Sequence, residues 1–260
     1  MSVCELHHEQ AGAREGPAVV LGSSLGTTLE MWDPQLGALV AERQVVRFDH
    51  RGHGRSPVPQ GPYSIDDLGL DVLGLLDRLQ LARVSYCGLS LGGMVGMWLA
   101  INAPQRIDRL VLLCTSAHLP PASGWHERAA TVRSAGSSEA IADAVLARWF
   151  TESFVREHPN VVAHYRRMVA STPTEGYASC CEVIGALDLR EGLPSISAPT
   201  LVIGTEQDPS TPPDHQRAIA AAVPGARLEI LDPGAHLANV EREDLVTPLI
   251  AEHLKNGAQR

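Results

Sequence analysis

Residues 88–92 read Gly-Leu-Ser-Leu-Gly, and their surroundings constrain the fold more than any other part of the chain. A short β-rich run, residues 83–87, stands before them, and a helix-like stretch, 93–103, follows. In that context a G-x-S-x-G run marks a sharp turn from strand to helix that lifts a serine hydroxyl above the edge of a sheet. Such a turn is crowded, so its flanking positions need residues without bulk, which Gly88 and Gly92 supply. The alternative is a glycine-rich turn with an incidental serine, and the rest of the chain decides between the two.

Short apolar runs recur at residues 18–21, 44–48, 84–87, 110–114, 200–203 and 227–231. They are nearly continuous rather than alternating, as expected of parallel strands covered on both faces. Helix-like stretches lie between them at 66–79, 91–103, 213–223 and 241–255, with Asp66 placed to cap the first. This alternation predicts an α/β fold built on a mostly parallel, doubly wound sheet. The rhythm breaks between about residues 116 and 197, where Trp125, Trp149, Phe150 and Tyr165 sit in helical periodicity without a convincing strand. A helical cap over residues 118–196, inserted between core parts 1–117 and 197–260, fits better than a separate domain, because no glycine- or proline-rich linker bounds it.

A length of 260 residues suits one α/β domain with an insertion. The net charge of −9 argues against nucleic acid as a partner and means that an anionic substrate needs a local cation. No apolar run approaches the ~18 residues of a membrane span. Residues 1–10 carry Glu5 and Glu9 without the apolar core of a signal peptide, so the expected location is cytoplasmic. The five cysteines, Cys4, Cys87, Cys114, Cys180 and Cys181, are odd in number and lack framework spacing, which predicts reduced, buried thiols. The eleven histidines show no metal-ligand spacing, and neither a metal nor another cofactor is expected. His7 and His8 read as a solvated pair.

A serine hydroxyl attacks a carbonyl only when a base takes its proton and a third group orients that base. In one large class of serine hydrolases the chain order is Ser, acid, His. Here Asp208 lies just beyond the run 200–203 and His236 just beyond 227–231, both where open α/β sheets place their sites. Glu206 and Asp232 are alternative acids, and His50, His53 and His118 are alternative bases. An oxyanion site needs two backbone N–H groups. Leu91, after the serine, offers one, and Leu25, in the loop Gly22-Ser23-Ser24-Leu25-Gly26-Thr27, offers the other. The run His50-Arg51-Gly52-His53-Gly54-Arg55-Ser56 reads as a structural loop braced by Asp49 and Arg51 beneath the site.

Several segments together carry a family resemblance. They are Ser24 to Thr27, Met31-Trp32, Asp49 to Ser56, Gly61-Pro62-Tyr63, Gly88 to Met94, Leu113 to Ala117, Arg148 to Thr151, Glu175 to Ala178 and Asp188 to Arg190. The chain resembles the 3-oxoadipate enol-lactone hydrolases of the α/β-hydrolase superfamily over nearly its whole length, cap included. The resemblance implies an α/β-hydrolase fold, a Ser90-His236-Asp208 triad and hydrolysis of a small anionic lactone in the β-ketoadipate route of aromatic catabolism. Many α/β-hydrolases have His-Gly where this chain has Ser23-Ser24, a departure that weakens a general esterase reading more than a lactonase one. The substrate carboxylate calls for a guanidinium. Arg128, Arg133 and Arg148 are the cap candidates, with Trp125 and Trp149 as apolar walls and Arg128 beside Trp125 favoured. A broader carboxylesterase or perhydrolase-like enzyme, and a non-catalytic small-ligand receptor, are the competing readings.

Overall fold

The computed structural model describes residues 3–13 and 15–255. Seven strands form one sheet: β1 (His8–Gly12), β2 (Ala18–Gly22), β3 (Gln44–Phe48), β4 (Val84–Leu89), β5 (Ile107–Leu113), β6 (Thr200–Thr205) and β7 (Arg227–Leu231). Their order is β1-β3-β2-β4-β5-β6-β7. Only the β1–β3 pairing is antiparallel. Every residue of β2, β3, β4 and β6 is buried, which is why those segments read as mostly apolar runs, broken by buried polar residues such as Gln44, Arg47 and Ser85. The register sets Gly22 opposite Gly88, Leu89 opposite Leu113, Leu113 opposite Ile203 and Thr205 opposite Leu231. The carboxyl ends of five neighbouring strands therefore meet along one edge.

Helices α1 (Asp33–Leu39), α2 (Ile65–Arg78) and α3 (Leu91–Asn102) belong to the first part of the chain. Helices α4 (Ala122–Ala135), α5 (Glu139–Trp149), α6 (Glu152–Glu157), α7 (Pro159–Ser171) and α8 (Thr174–Ala186) stand between β5 and β6. Helices α9 (Pro213–Ala222), α10 (Ala238–Glu241) and α11 (Glu243–Lys255) complete the described chain. Helix α3 is apolar all round and buried from Leu91 to Ala100, as befits the helix that backs the centre of the sheet. Among the described residues, no helix is long and apolar enough to cross a membrane.

Three expectations are corrected. His8 is not part of a solvated pair: it opens β1, where it lies opposite Phe48. The segment His-Glu-Gln-Ala-Gly has little strand propensity of its own, and pairing with a preformed edge determines its conformation. Asp66 does not cap α2. Ser64 does, its hydroxyl accepting from the Asp67 N–H at 3.1 Å while the Asp67 carboxylate accepts from the Ser64 N–H at 2.9 Å. Asp66 instead accepts the Trp98 indole N–H at 2.6 Å. The last helix, α11, begins at Glu243 rather than at 241, and Ala238–Glu241 forms the separate short helix α10. All five cysteines are free and buried, as the spacing predicts.

Candidate active site

Ser90 sits between β4 and α3 with φ 56 and ψ −114. A non-glycine residue at positive φ is strained, and its neighbours must hold it there. The Ser90 N–H donates to Leu113 O at 3.0 Å, and the Ser90 carbonyl accepts from Thr115 Oγ1 at 2.7 Å and from the Met94 N–H at 3.0 Å. The glycines are needed for close approach. A Cβ on Gly88 would lie 2.2 Å from Gly92 O, and one on Gly92 would lie 2.1 Å from Gly22 O.

Asp208 follows β6 and His236 follows β7, and the loops bring them together: His236 Nδ1 lies 2.7 Å from Asp208 Oδ2. Asp208 also accepts the N–H groups of Ser210 at 2.7 Å and Thr211 at 3.1 Å, and the Thr211 hydroxyl at 2.7 Å. Burial opposes ionisation of Asp208, but the His236 imidazole and the Thr211 donors outweigh it and hold the carboxyl below its usual range. A carboxylate there fixes the proton on Nδ1 and leaves Nε2 as the free acceptor.

The alternatives are placed elsewhere. Glu206 pairs with Arg217 at 3.1 Å on the surface, and Asp232 is exposed. His118 points Nδ1 at Leu187 O, 2.9 Å away, and lines a separate cavity with His215 and Arg190. His50 and His53 are buried in the loop after β3, where Arg51 bonds Asp71 at 2.5 Å and Asp49 accepts the Leu29 N–H at 2.7 Å.

Ser90 and His236 line one cavity of about 30 Å³ together with Leu25, Trp125, Arg128 and Trp149. The backbone N–H groups of Leu25, which lines it, and of Leu91, next to Ser90, are uncommitted among the described residues. Those of Ser24, Gly26, Thr27, Ser90 and Gly92 all donate to protein acceptors, whereas those of Leu25 and Leu91 donate to none among the described residues. The Arg128 guanidinium lies over the Trp125 ring, 4.7 Å from its centroid, and has no carboxylate within ion-pair reach among the described residues. Arg133 is bound instead by Glu175, at 3.0 Å, and by Glu182, and does not line the cavity. Arg148 faces a neighbouring cavity of about 410 Å³ with Arg156 and Gln207. The sequence reading assigns no role to Tyr177 or Thr211. Tyr177 of α8 forms one cavity wall, and Thr211 holds the acid; the Asp-x-x-Thr spacing from Asp208 to Thr211 is the signal that could have found the second.

Burial lowers the His50 pKa to about 3 and the His53 pKa to about 4, so both rings are neutral in the folded protein. Unfolded, each would titrate near ~6.5. Their contribution to stability is therefore complete above that value and is lost as pH falls toward 4, at up to about 1.4 kcal/mol per pH unit for each ring. The melting temperature of His50→Gln should fall less steeply than that of the parent between about pH 6.5 and 4.5. Parallel melting curves over that interval would overturn this account.

The family model for the alpha/beta hydrolase fold matches residues 17–243. The chain is 39% identical over 237 residues to 3-oxoadipate enol-lactonase 2 of Acinetobacter baylyi, which covers 91% of this chain and 88% of that protein. The crystal structure of an enol-lactonase from Burkholderia xenovorans superposes with a TM-score of 0.95 at 44% identity, covering 97% of each chain. A thermophilic esterase from Thermogutta terrifontis matches with a TM-score of 0.93 at 30% identity, over 98% of this chain and 95% of that one. A mostly parallel sheet, a strained serine between two tightly packed glycines and near-complete coverage by these relatives lead to one conclusion: the chain belongs to the α/β-hydrolase fold family, in the group that includes the 3-oxoadipate enol-lactonases.

Proposed function

We propose that the protein opens 3-oxoadipate enol-lactone to 3-oxoadipate through an acyl-enzyme. The reading rests on the convergence of Ser90, His236 and Leu25 at one cavity, with the uncommitted N–H of Leu91 next to Ser90 in the chain. His236 Nε2 takes the Ser90 proton as Oγ attacks the lactone carbonyl, and the N–H groups of Leu25 and Leu91 hold the oxyanion. Collapse breaks the ring C–O bond. The enolate leaves readily, stays tethered to the acyl group and takes the proton held on His236 Nε2 to become the ketone, which returns the imidazole to its neutral form. His236 then takes a proton from water, which attacks the acyl-enzyme, and the proton returns to Ser90 as the carboxylate leaves. Asp208 keeps Nδ1 protonated throughout.

Helices α4–α8 act as the cap in this scheme. The cavity as it stands holds about one or two waters, so a lactone enters when the cap helices draw back from Ser90. Arg128 is the partner of the substrate carboxylate, because it lines the cavity and has no ion pair of its own among the described residues. Five free thiols suit a reducing compartment, which supports a cytoplasmic enzyme.

The test is loss of the enol-lactone's ultraviolet absorbance against hydrolysis of p-nitrophenyl acetate. Rapid loss of the lactone with slow ester cleavage supports the reading. The reverse ranking would favour the broader esterase, for which likeness to the Thermogutta terrifontis esterase speaks. Arg128→Ala should raise KM for the lactone about tenfold, the worth of one charge-assisted hydrogen bond, and leave the neutral ester untouched. An unchanged lactone KM would move the carboxylate site elsewhere.

A further inference from the structure

The N–H of Leu25 is uncommitted because its neighbours on the loop are all tied down. The Ser24 carbonyl accepts from the Thr27 N–H at 3.2 Å and from Thr27 Oγ1 at 2.8 Å. That carbonyl shares a planar peptide with the Leu25 N–H, which therefore points the opposite way. The next peptide is held by one bond, from the Gly26 N–H to His53 Nε2 at 3.0 Å. Gly26 has φ 80, and a Cβ there would lie 3.0 Å from the Tyr177 ring, so the turn is confined on both sides. Ser23 O is fixed in turn by the Gly92 N–H at 3.0 Å and by His50 Nε2 at 3.1 Å.

We propose that His53 is a positioning residue for the oxyanion hole: by accepting the Gly26 N–H it sets the turn that aims the Leu25 N–H at the substrate oxygen. This rests on the assignment of Leu25 as an oxyanion donor. The position requires a buried acceptor without charge. Nδ1 of His53 lies 3.2 Å from Arg51 O, so the ring proton is donated there and Nε2 keeps its lone pair for Gly26. Arg51 is held by Asp71, at 2.5 Å from Nε and 2.7 Å from Nη2. A continuous set of contacts thus runs from Asp71 through Arg51 and His53 to the loop that carries Leu25. Without the acceptor the Gly26 N–H is buried and unpaired, and the turn relaxes to satisfy it.

His53→Leu removes the acceptor, whereas His53→Gln places an amide oxygen near the position of Nε2. We expect kcat of His53→Leu to fall by about 10- to 100-fold, part of what loss of a whole oxyanion donor costs, with KM within about twofold. Affinity for a boronic acid that forms a tetrahedral adduct on Ser90 should fall by a similar factor. Amide hydrogen exchange across residues 22–29 should quicken, and His53→Gln should restore all three readouts. If His53→Leu does not fold, His53→Asn serves in its place, its side chain being too short to reach Gly26. A kcat within twofold of the parent, or equal losses in the Leu and Gln variants, would overturn the proposal while leaving the Ser90 chemistry intact. Should the protein open no lactone, the exchange and boronate measurements still decide whether His53 holds the loop.

Discussion

On the proposed mechanism, Ser90→Ala should lower lactone hydrolysis by about 10⁴- to 10⁶-fold, the loss expected when the nucleophile of a serine hydrolase is removed and only binding and the oxyanion donors remain. The substitution deletes one atom from a turn fixed by backbone contacts: the Ser90 N–H to Leu113 O, and Thr115 Oγ1 to the Ser90 carbonyl. The variant should therefore melt with the parent, and the loss should appear in kcat rather than KM. Labelling by a fluorophosphonate should vanish with activity. Residual turnover above about one part in a hundred would show that the reaction does not pass through a Ser90 ester.

Gly92→Ala should lose the folded protein, or at least about 3 kcal/mol of stability, because overpacking against an immovable neighbour is costly. The added methyl would stand 2.1 Å from Gly22 O and 2.4 Å from its carbon, both backbone atoms of a central strand. Neither can yield without breaking the β2–β4 register that sets Gly22 opposite Gly88. Gly124 is the control. It lies in α4, where a methyl group at its Cα would meet nothing within 4 Å, and alanine there should add about 0.5–1 kcal/mol through helix propensity. Urea denaturation of the two variants separates the cases, and equal midpoints would mean that α3 does not approach β2 so closely.

The parts of this fold that can be read in the sequence are those where burial alone determines residue type. Strands β2, β3, β4 and β6 are covered on both faces, so their apolar runs stand out. The turn at Ser90 announces itself because steric crowding leaves glycine as the residue that fits at positions 88 and 92. Asp208 and His236 are legible through their position after strands, and the structure brings their side chains into contact. What escapes depends on partners distant in sequence. Strand β1 exists because β3 offers it an edge. Arg133 reads as a free cation in the sequence, yet Glu175 and Glu182 of another helix claim it. Arg128 has the same local character and is left to face the cavity.

Strands β5 and β6 are hydrogen-bonded neighbours in the sheet. Helices α4–α8 therefore leave the sheet at one strand and return at the next. No other strand pairing has to be crossed or rearranged to make room for them. The segment that walls the cavity with Trp125, Arg128, Trp149 and Tyr177 can thus be lengthened, shortened or exchanged while the strand ends bearing Ser90, Asp208 and His236 keep their register. On the proposed reading, selectivity and reaction chemistry are separable along the chain, so drift in one need not disturb the other.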